Sequence, residues 1–334
     1  MLNRLATALR RLAPVIFLLL LTAPAEAQIT IFSPFNLGTA VDQNVRKHEN
    51  VPYADGQMKK LDVYRPQQQN GPAPVVMFIH GGGWANGFKA EYEFVGRAFA
   101  ANGYVAVVPD YRKYPEVRYP DFLSDNAQAV KWVEDNIAGY GGDRTRFFLA
   151  GHSAGAYNAV MLALDRSFLR EFGVTMPIRA VAGISGPYNF YPFEYDEVRN
   201  AFGQAPNPEG TQPINLVTAD APPMLLVSGT SDPIVRMQNT EALAQKLSGQ
   251  GTWVTTKYYD GLGHTEPLIA LGAAWRWRSP VLADVLEFFH RFGAFPSGVA
   301  RPPYTPEPPV AERDPMAELI AEMDTILAPI AGPR

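Results

Sequence analysis

Short apolar segments recur along the chain and alternate with longer segments of mixed polarity. The short segments are rich in β-branched and aromatic residues, which is typical of buried strands. The predicted strands are Leu61–Tyr64, Val75–Ile79, Val105–Val108, Phe147–Ala150, Ala180–Ile184, Met224–Val227 and Val254–Tyr259. The longer segments carry apolar residues at helical spacing. The predicted helices are Glu91–Ala101, Asp121–Ile137, Ala156–Leu164, Asn239–Leu247 and Val281–Phe292.

This alternation predicts an α/β fold with a mostly parallel sheet. Strands that are apolar throughout are buried on both faces, and right-handed crossovers place the connecting helices there. Binding and catalytic sites of such sheets lie at the carboxyl ends of the strands. Residues that directly follow the predicted strands are therefore the candidates for a functional site.

Two segments depart from the alternation. Residues 186–223 are rich in proline and aromatic residues with weak periodicity, which predicts an irregular, cap-like insertion over the sheet edge. Residues 294–334 read as a proline-rich linker followed by a short amphipathic helix that begins at Asp314-Pro315. Its apolar stripe favours docking on the protein's own body, and a partner or a membrane surface remain open alternatives.

Residues 1–27 have the pattern of a signal peptide. Arginines precede an apolar run of leucines, and Ala25-Glu26-Ala27 fits a cleavage site. The run is about a dozen residues long, whereas a membrane-spanning helix needs about 20. We therefore expect cleavage after Ala27, a periplasmic or secreted mature protein and no stable membrane insertion, with an uncleaved anchor as the alternative.

Composition narrows the classes of partner and chemistry. The net charge is −4 and no long run of Lys or Arg is present, so nucleic acid is not an expected partner. The chain has no cysteine, which excludes disulfides, a thiol nucleophile and thiolate metal sites. Covalent catalysis would have to use Ser, Thr, Lys or a carboxylate.

Ser153 is the candidate nucleophile. It lies in Gly151-His152-Ser153-Ala154-Gly155, a G-x-S-x-G pattern between a predicted strand and a predicted helix. This is the context of a nucleophile elbow, in which a sharp turn exposes the serine oxygen. An ordinary glycine-rich turn is the competing interpretation.

A serine hydroxyl needs a base to accept its proton during attack. The chain has five histidines. Four of them lie before the core strands, in glycine-rich turns or in the last helix. His264 remains, in a glycine-containing loop after the strand that ends at Tyr259. Asp232, after the strand Met224–Val227, is the best candidate to orient the imidazole, with Asp260 and Glu266 as rivals.

His80-Gly81-Gly82-Gly83-Trp84 directly follows the strand Val75–Ile79. Consecutive glycines allow backbone N–H groups to face one point, where they can stabilise negative charge on a reacting carbonyl oxygen. We assign Gly82 and Gly83 to this oxyanion hole, together with the N–H of Ala154. Phosphate binding is the alternative for such a loop, but no Gly-Lys-Ser/Thr sequence follows it.

Together these segments resemble the α/β-hydrolase esterases, over roughly residues 50–292. More narrowly, they resemble the branch that holds hormone-sensitive-lipase-like carboxylesterases, feruloyl and acetyl-xylan esterases, arylformamidases and prenylcysteine methylesterases. The segments that carry the resemblance are Leu61–Pro66, His80–Trp84, Pro109–Arg112, Gly151–Gly155, Asp232 and His264.

The resemblance implies an eight-stranded, mostly parallel sheet in a catalytic domain over residues 28–293, and hydrolysis of carboxylic esters without metal or organic cofactor. It assigns Ser153 as nucleophile, His264 as general base and Asp232 as its orienting carboxylate. The substrate is expected to be a small-molecule or carbohydrate-linked ester. Among the aromatic residues near the strand ends, Trp84 and Tyr188 are interpreted as substrate contacts, with core packing as the competing interpretation.

Two other functions are alternatives to ester hydrolysis. Cleavage of amides, peptides or formamides could proceed with the same triad. A hydrolase fold that binds without catalysis is the alternative from another class. Labelling of Ser153 by a fluorophosphonate distinguishes the catalytic hypotheses from the non-catalytic one.

Overall fold

The computed structural model describes Asp42 and residues 44–293. The predicted signal peptide, residues 1–27, and the predicted linker and helix, residues 294–334, lie outside the described residues.

Eight strands form a single sheet in the described part of the chain. They are β1 (Val45–Pro52), β2 (Lys60–Pro66), β3 (Ala73–Ile79), β4 (Val105–Pro109), β5 (Gly142–His152), β6 (Ile178–Ile184), β7 (Met224–Gly229) and β8 (Val254–Tyr259). Their order is β1-β2-β4-β3-β5-β6-β7-β8. β2 pairs antiparallel with both β1 and β4, and all other pairs are parallel. This confirms the predicted eight-stranded, mostly parallel sheet.

Helices connect the strands and cover the sheet. They are α1 (Glu93–Ala101), α2 (Asp121–Asn136), α3 (Ala154–Leu164), α4 (Ser167–Glu171), α5 (Asp196–Phe202), α6 (Gln238–Gly249), α7 (Glu266–Ile269) and α8 (Val281–Gly293). The five predicted helices correspond to α1, α2, α3, α6 and α8. Within residues 44–293, no helix is long and apolar enough to span a membrane.

Each face of the sheet has its own apolar core. On β3, Val75, Met77 and Ile79 pack with the buried residues of α2, α3 and α6. Val76 and Phe78 point to the other face, where α1 and α8 lie. Successive side chains of a strand point to opposite faces of the sheet. Because both faces of this sheet are buried, every residue of such a strand must be apolar, which explains the uninterrupted apolar segments.

The insertion between β6 and β7 contains more regular structure than its sequence predicts. Residues 186–223 include α5 and two short 3₁₀ turns, Glu209–Thr211 and Pro213–Leu216. Phe202 at the end of α5 is fully buried, and its ring lies 4.6 Å from that of Trp84. The helix was not predicted because it is only seven residues long, and packing of Phe202 stabilises it in place of a long amphipathic pattern.

Candidate active site

Ser153 lies at the turn between β5 and α3, at the carboxyl edge of the sheet. Its backbone has φ 53° and ψ −122°, an uncommon conformation for a residue with a side chain. Such strain is retained where the surrounding structure enforces it, as in a nucleophile elbow. Gly155 allows the turn, because a Cβ atom there would lie 2.0 Å from the carbonyl oxygen of Ile79. The strand–turn–helix context expected from the sequence is therefore present.

Three side chains from separate loops form one hydrogen-bonded chain. The Oγ of Ser153 lies 2.9 Å from Nε2 of His264, and Nδ1 of His264 lies 2.8 Å from Oδ2 of Asp232. A carboxylate only accepts, so Nδ1 carries the proton and donates to Asp232. Nε2 is then free to accept the hydroxyl proton of Ser153. The geometry suits removal of that proton during attack on an electrophile.

Asp232 is held as an ionised acceptor. Its side chain is fully buried, and its Oδ1 accepts hydrogen bonds of 2.9 Å from the amides of both Ile234 and Val235. Burial alone would raise the pKa of Asp232, but the hydrogen bonds from His264 and these amides outweigh it. The pKa therefore lies below its ordinary value of 3.8. An ionised carboxylate at this place stabilises the protonated form of the imidazole.

The two rival carboxylates, Asp260 and Glu266, have other contacts. Asp260 accepts a hydrogen bond from the hydroxyl of Thr230, and Glu266 accepts from the amide of Gly263 and pairs with Arg278. Neither carboxylate is bonded to the ring of His264. These contacts leave Asp232 as the partner of His264 among the candidates.

The other histidines are also accounted for. The ring of His48 packs edge-on against Tyr140, and the ring of His80 stacks on Tyr111 at 4.5 Å. His290 is exposed on α8. His152 is buried next to Ser153 and contacts the backbone of His264, as described below.

The glycine loop after β3 presents free donors. Gly82 has φ 118°, and a Cβ atom there would lie 2.1 Å from the carbonyl oxygen of Asn86, so only glycine fits. Gly83 has φ 59°, and the space beside it is open. Within the described residues, the N–H groups of Gly82, Gly83 and Ala154 donate to no protein acceptor. Unpaired backbone donors in this arrangement suit stabilisation of an oxyanion.

Two tyrosines that the sequence analysis did not assign hold this loop. The hydroxyl of Tyr111 donates to the carbonyl of His80 at 2.9 Å, and the amide of Gly81 donates to the hydroxyl of Tyr92 at 3.2 Å. Tyr111 lies two residues after the end of β4, which was the available sequence signal. Tyr92 precedes α1 and carries no such signal.

Trp84 and Tyr188 are buried in the apolar core. Trp84 is 3% exposed and its Nε1 donates to Asn158, while Tyr188 is 0% exposed and packs against Gly183 and Gly186. These contacts are those of core side chains and favour the packing interpretation. A role for either residue in substrate contact stays a prediction.

The described part of the chain contains no cluster of three or more His, Cys, Asp or Glu residues arranged to hold a metal ion.

Curated relatives match about 60% of the chain. The isoprenylcysteine alpha-carbonyl methylesterase ICME of Arabidopsis thaliana is 28% identical over 241 residues, which cover 65% of this chain and 56% of the relative. Esterase LipC of Mycobacterium tuberculosis is 30% identical over 218 residues, which cover 59% of this chain and 54% of the relative. The chain thus spans little more than half the length of these curated relatives.

Solved structures and a family model assign the fold. A truncated carbohydrate esterase from gut microbiota superposes with a TM-score of 0.69 at 19% identity, covering 77% of this chain and all of that one. Esterase B of Lactobacillus rhamnosis superposes with a TM-score of 0.68 at 20% identity, covering 80% and 96%. The model of the BD-FAE family matches residues 61–247, which include Ser153 and Asp232. The chain belongs to the BD-FAE family and has the α/β-hydrolase fold of these esterases.

Proposed function

We propose that this protein is a serine carboxylesterase that cleaves carboxylic esters through an acyl-enzyme intermediate on Ser153. The observation that carries the proposal is the chain of hydrogen bonds from Ser153 through His264 to Asp232, beside three unpaired backbone N–H groups. A nucleophile, a base, an orienting carboxylate and oxyanion donors are the parts that acyl transfer requires.

In the first half-reaction, Oγ of Ser153 attacks the ester carbonyl carbon while Nε2 of His264 takes its proton. The carbonyl oxygen becomes an oxyanion and accepts hydrogen bonds from the amides of Gly82, Gly83 and Ala154. The bond to the alcohol oxygen then breaks, and the proton on His264 goes to the departing alcohol. The acyl group remains on Ser153.

In the second half-reaction, His264 takes a proton from water as the water oxygen attacks the acyl carbon. The same amides stabilise the second oxyanion. The bond to Oγ of Ser153 breaks, the serine recovers its proton from His264, and the carboxylic acid leaves. The negative charge of Asp232 stabilises the imidazolium that forms in each half-reaction.

The names of the relatives support ester hydrolysis. ICME is a methylesterase that is 28% identical to this chain over the aligned residues, and LipC is an esterase that is 30% identical. The superposed carbohydrate esterase agrees with the proposal that small-molecule or carbohydrate-linked esters are the substrates. The acyl group and the alcohol are left to direct measurement.

The test is hydrolysis of a panel of esters by the purified protein. The panel runs from acetyl to decanoyl p-nitrophenyl esters and includes feruloyl esters and a formamide. We expect turnover of one or more esters, and a loss of kcat of at least about 10³-fold in Ser153→Ala. Ser231→Ala, on the loop of Asp232, is the matched control and should keep its activity. Equal hydrolysis by wild type and Ser153→Ala would contradict the proposal.

A further inference from the structure

The loop that carries His264 is tied firmly to the loop that carries Asp232. The amide of Ser231 donates to the carbonyl of Leu262 at 3.0 Å, and the amide of Gly261 donates to Oγ1 of Thr230 at 2.9 Å. These bonds fix the imidazole relative to its carboxylate. They do not fix it relative to the serine, which lies on the turn after β5.

His152 supplies the missing connection. Its Nε2 lies 3.0 Å from the backbone carbonyl oxygen of His264. Apart from the bond between Ser153 and His264 themselves, this is the only hydrogen bond within the described residues that joins the loop of residues 260–264 to the elbow. Because His152 and Ser153 are adjacent, the bond sets the distance between the base and the nucleophile.

The surroundings of His152 keep it in a neutral form with one defined proton. The acceptor at Nε2 is a carbonyl, so Nε2 carries the proton. Nδ1 is buried and has no hydrogen-bond partner among the described residues, and a Cβ atom on Gly81 would lie 3.1 Å from it. Burial, followed by the charge of His264, lowers the pKa of His152 to about 3, against smaller opposing effects of its hydrogen bond to the His264 carbonyl and of the charge of Asp232.

Neutrality has a consequence for the reaction. The rings of His152 and His264 lie 4.9 Å apart, and His264 becomes positively charged in each half-reaction. A second positive charge at that distance would oppose proton transfer from the serine. A neutral donor holds the backbone of His264 without this repulsion.

We propose that His152 is a positioning residue that holds His264 within reach of Ser153 through its Nε2–H donor. The inference rests on the proposed function. It assigns to His152 an effect on the chemical step and no contact with substrate.

Three variants test the inference with a good ester substrate of the wild type. His152→Gln keeps an N–H donor at about the position of Nε2. His152→Leu removes the donor, and His152→Asn is polar but too short to reach the carbonyl. We expect His152→Leu and His152→Asn to lower kcat by about 10- to 100-fold, because a misplaced base slows proton transfer. KM should change less than about twofold, and Gln should retain most of kcat.

Thermal unfolding identifies any variant that fails to fold. If His152→Leu does not fold, the comparison of kcat between His152→Gln and His152→Asn tests the inference. The acid limb of kcat/KM should be unmoved in His152→Gln, because a neutral His152 adds no charge to the site. The inference would be overturned if both His152→Leu and His152→Asn kept the wild-type kcat, or if His152→Gln and His152→Asn lost equal activity. A displaced acid limb in His152→Gln would also overturn it. Failure of the wild type to hydrolyse any ester would instead contradict the proposed function.

Discussion

At the scale of single residues, the charge of Asp232 is the feature that most directly affects the base. Its pKa lies below the ordinary value of 3.8, so the carboxylate stays ionised as the pH falls toward 4. Loss of activity on acidification above that pH therefore arises from another group. The reaction requires Nε2 of His264 to be free of a proton, because it accepts the proton of Ser153.

Asp232→Asn should lower kcat roughly 10³- to 10⁴-fold, since the amide neither fixes the tautomer of His264 nor stabilises its charged form. The acid limb of kcat/KM should move to lower pH, because the imidazole is harder to protonate without a neighbouring negative charge. Asp260→Asn, on the adjacent loop, is the control and should leave both kcat and the acid limb unchanged. A pH–rate profile that is identical in wild type and Asp232→Asn would refute this role.

Asp232 also links stability to pH. Its folded-state pKa is depressed, so its contribution to stability is present above the unfolded-state pKa of about 3.9 and is lost as the pH falls through the folded-state value. The difference in unfolding free energy between wild type and Asp232→Asn should therefore shrink as the pH falls below about 4. Chemical denaturation over that range measures it.

Two buried tyrosines differ in the state of their hydroxyl groups. The hydroxyl of Tyr157 donates to the carbonyl of Thr211 at 2.7 Å, whereas that of Tyr188 has no partner within the described residues. Tyr157→Phe should destabilise the protein by about 1–2 kcal/mol, and Tyr188→Phe should be neutral or stabilising. Urea denaturation compares them. A changed KM in Tyr188→Phe would show that its hydroxyl contacts substrate, and equal destabilisation would contradict the packing argument.

The proximity of Ser153, Asp232 and His264 could be predicted because each follows a strand in a parallel sheet, and carboxyl ends of such strands share one edge. The contact of His152 with His264 could not, because it depends on a backbone carbonyl that no side-chain pattern marks. The burial of Trp84 was equally hidden. It depends on Phe202, which lies more than a hundred residues away in the sequence.

At the scale of elements, the close approach of α3 to β3 positions the elbow. In Gly155→Ala the new methyl group would lie 2.0 Å from the carbonyl oxygen of Ile79 and must displace backbone. We expect a loss of about 1–3 kcal/mol in unfolding free energy, together with reduced activity. Gly139→Ala is the matched control, since nothing lies within 4 Å of the added atom. Similar stabilities of the two variants would contradict this packing.

Six of the seven predicted strands are largely buried, and the seventh, β8, is a partly exposed edge strand that its β-branched and aromatic residues marked. β1 was not predicted, because Val45–Pro52 carries several charged residues and pairs with β2 alone at the sheet edge. The short helices α4, α5 and α7 were not predicted either, since four to seven residues are too few for a periodic pattern. The charged sequence of β1 and the short length of the three helices thus account for the missing elements.

At the scale of the whole molecule, residues 1–27 are proposed to direct export and to be removed. Expression of the full chain in a bacterium that exports proteins should yield a soluble product whose first residue is Gln28, determined by N-terminal sequencing. Replacing Ala25 and Ala27 with leucine should block cleavage, because signal peptidase requires small residues there. An intact N-terminus with the protein in the membrane fraction would favour the anchor.

The most direct measurement of the central claim is covalent labelling with a fluorophosphonate, followed by intact-mass and peptide mass analysis. The account predicts one added group per molecule, located on Ser153, and no labelling in Ser153→Ala. It also predicts that His264→Ala slows the labelling greatly, since the serine then lacks its base. Absence of labelling in the folded wild type, or labelling at another residue, would contradict the account.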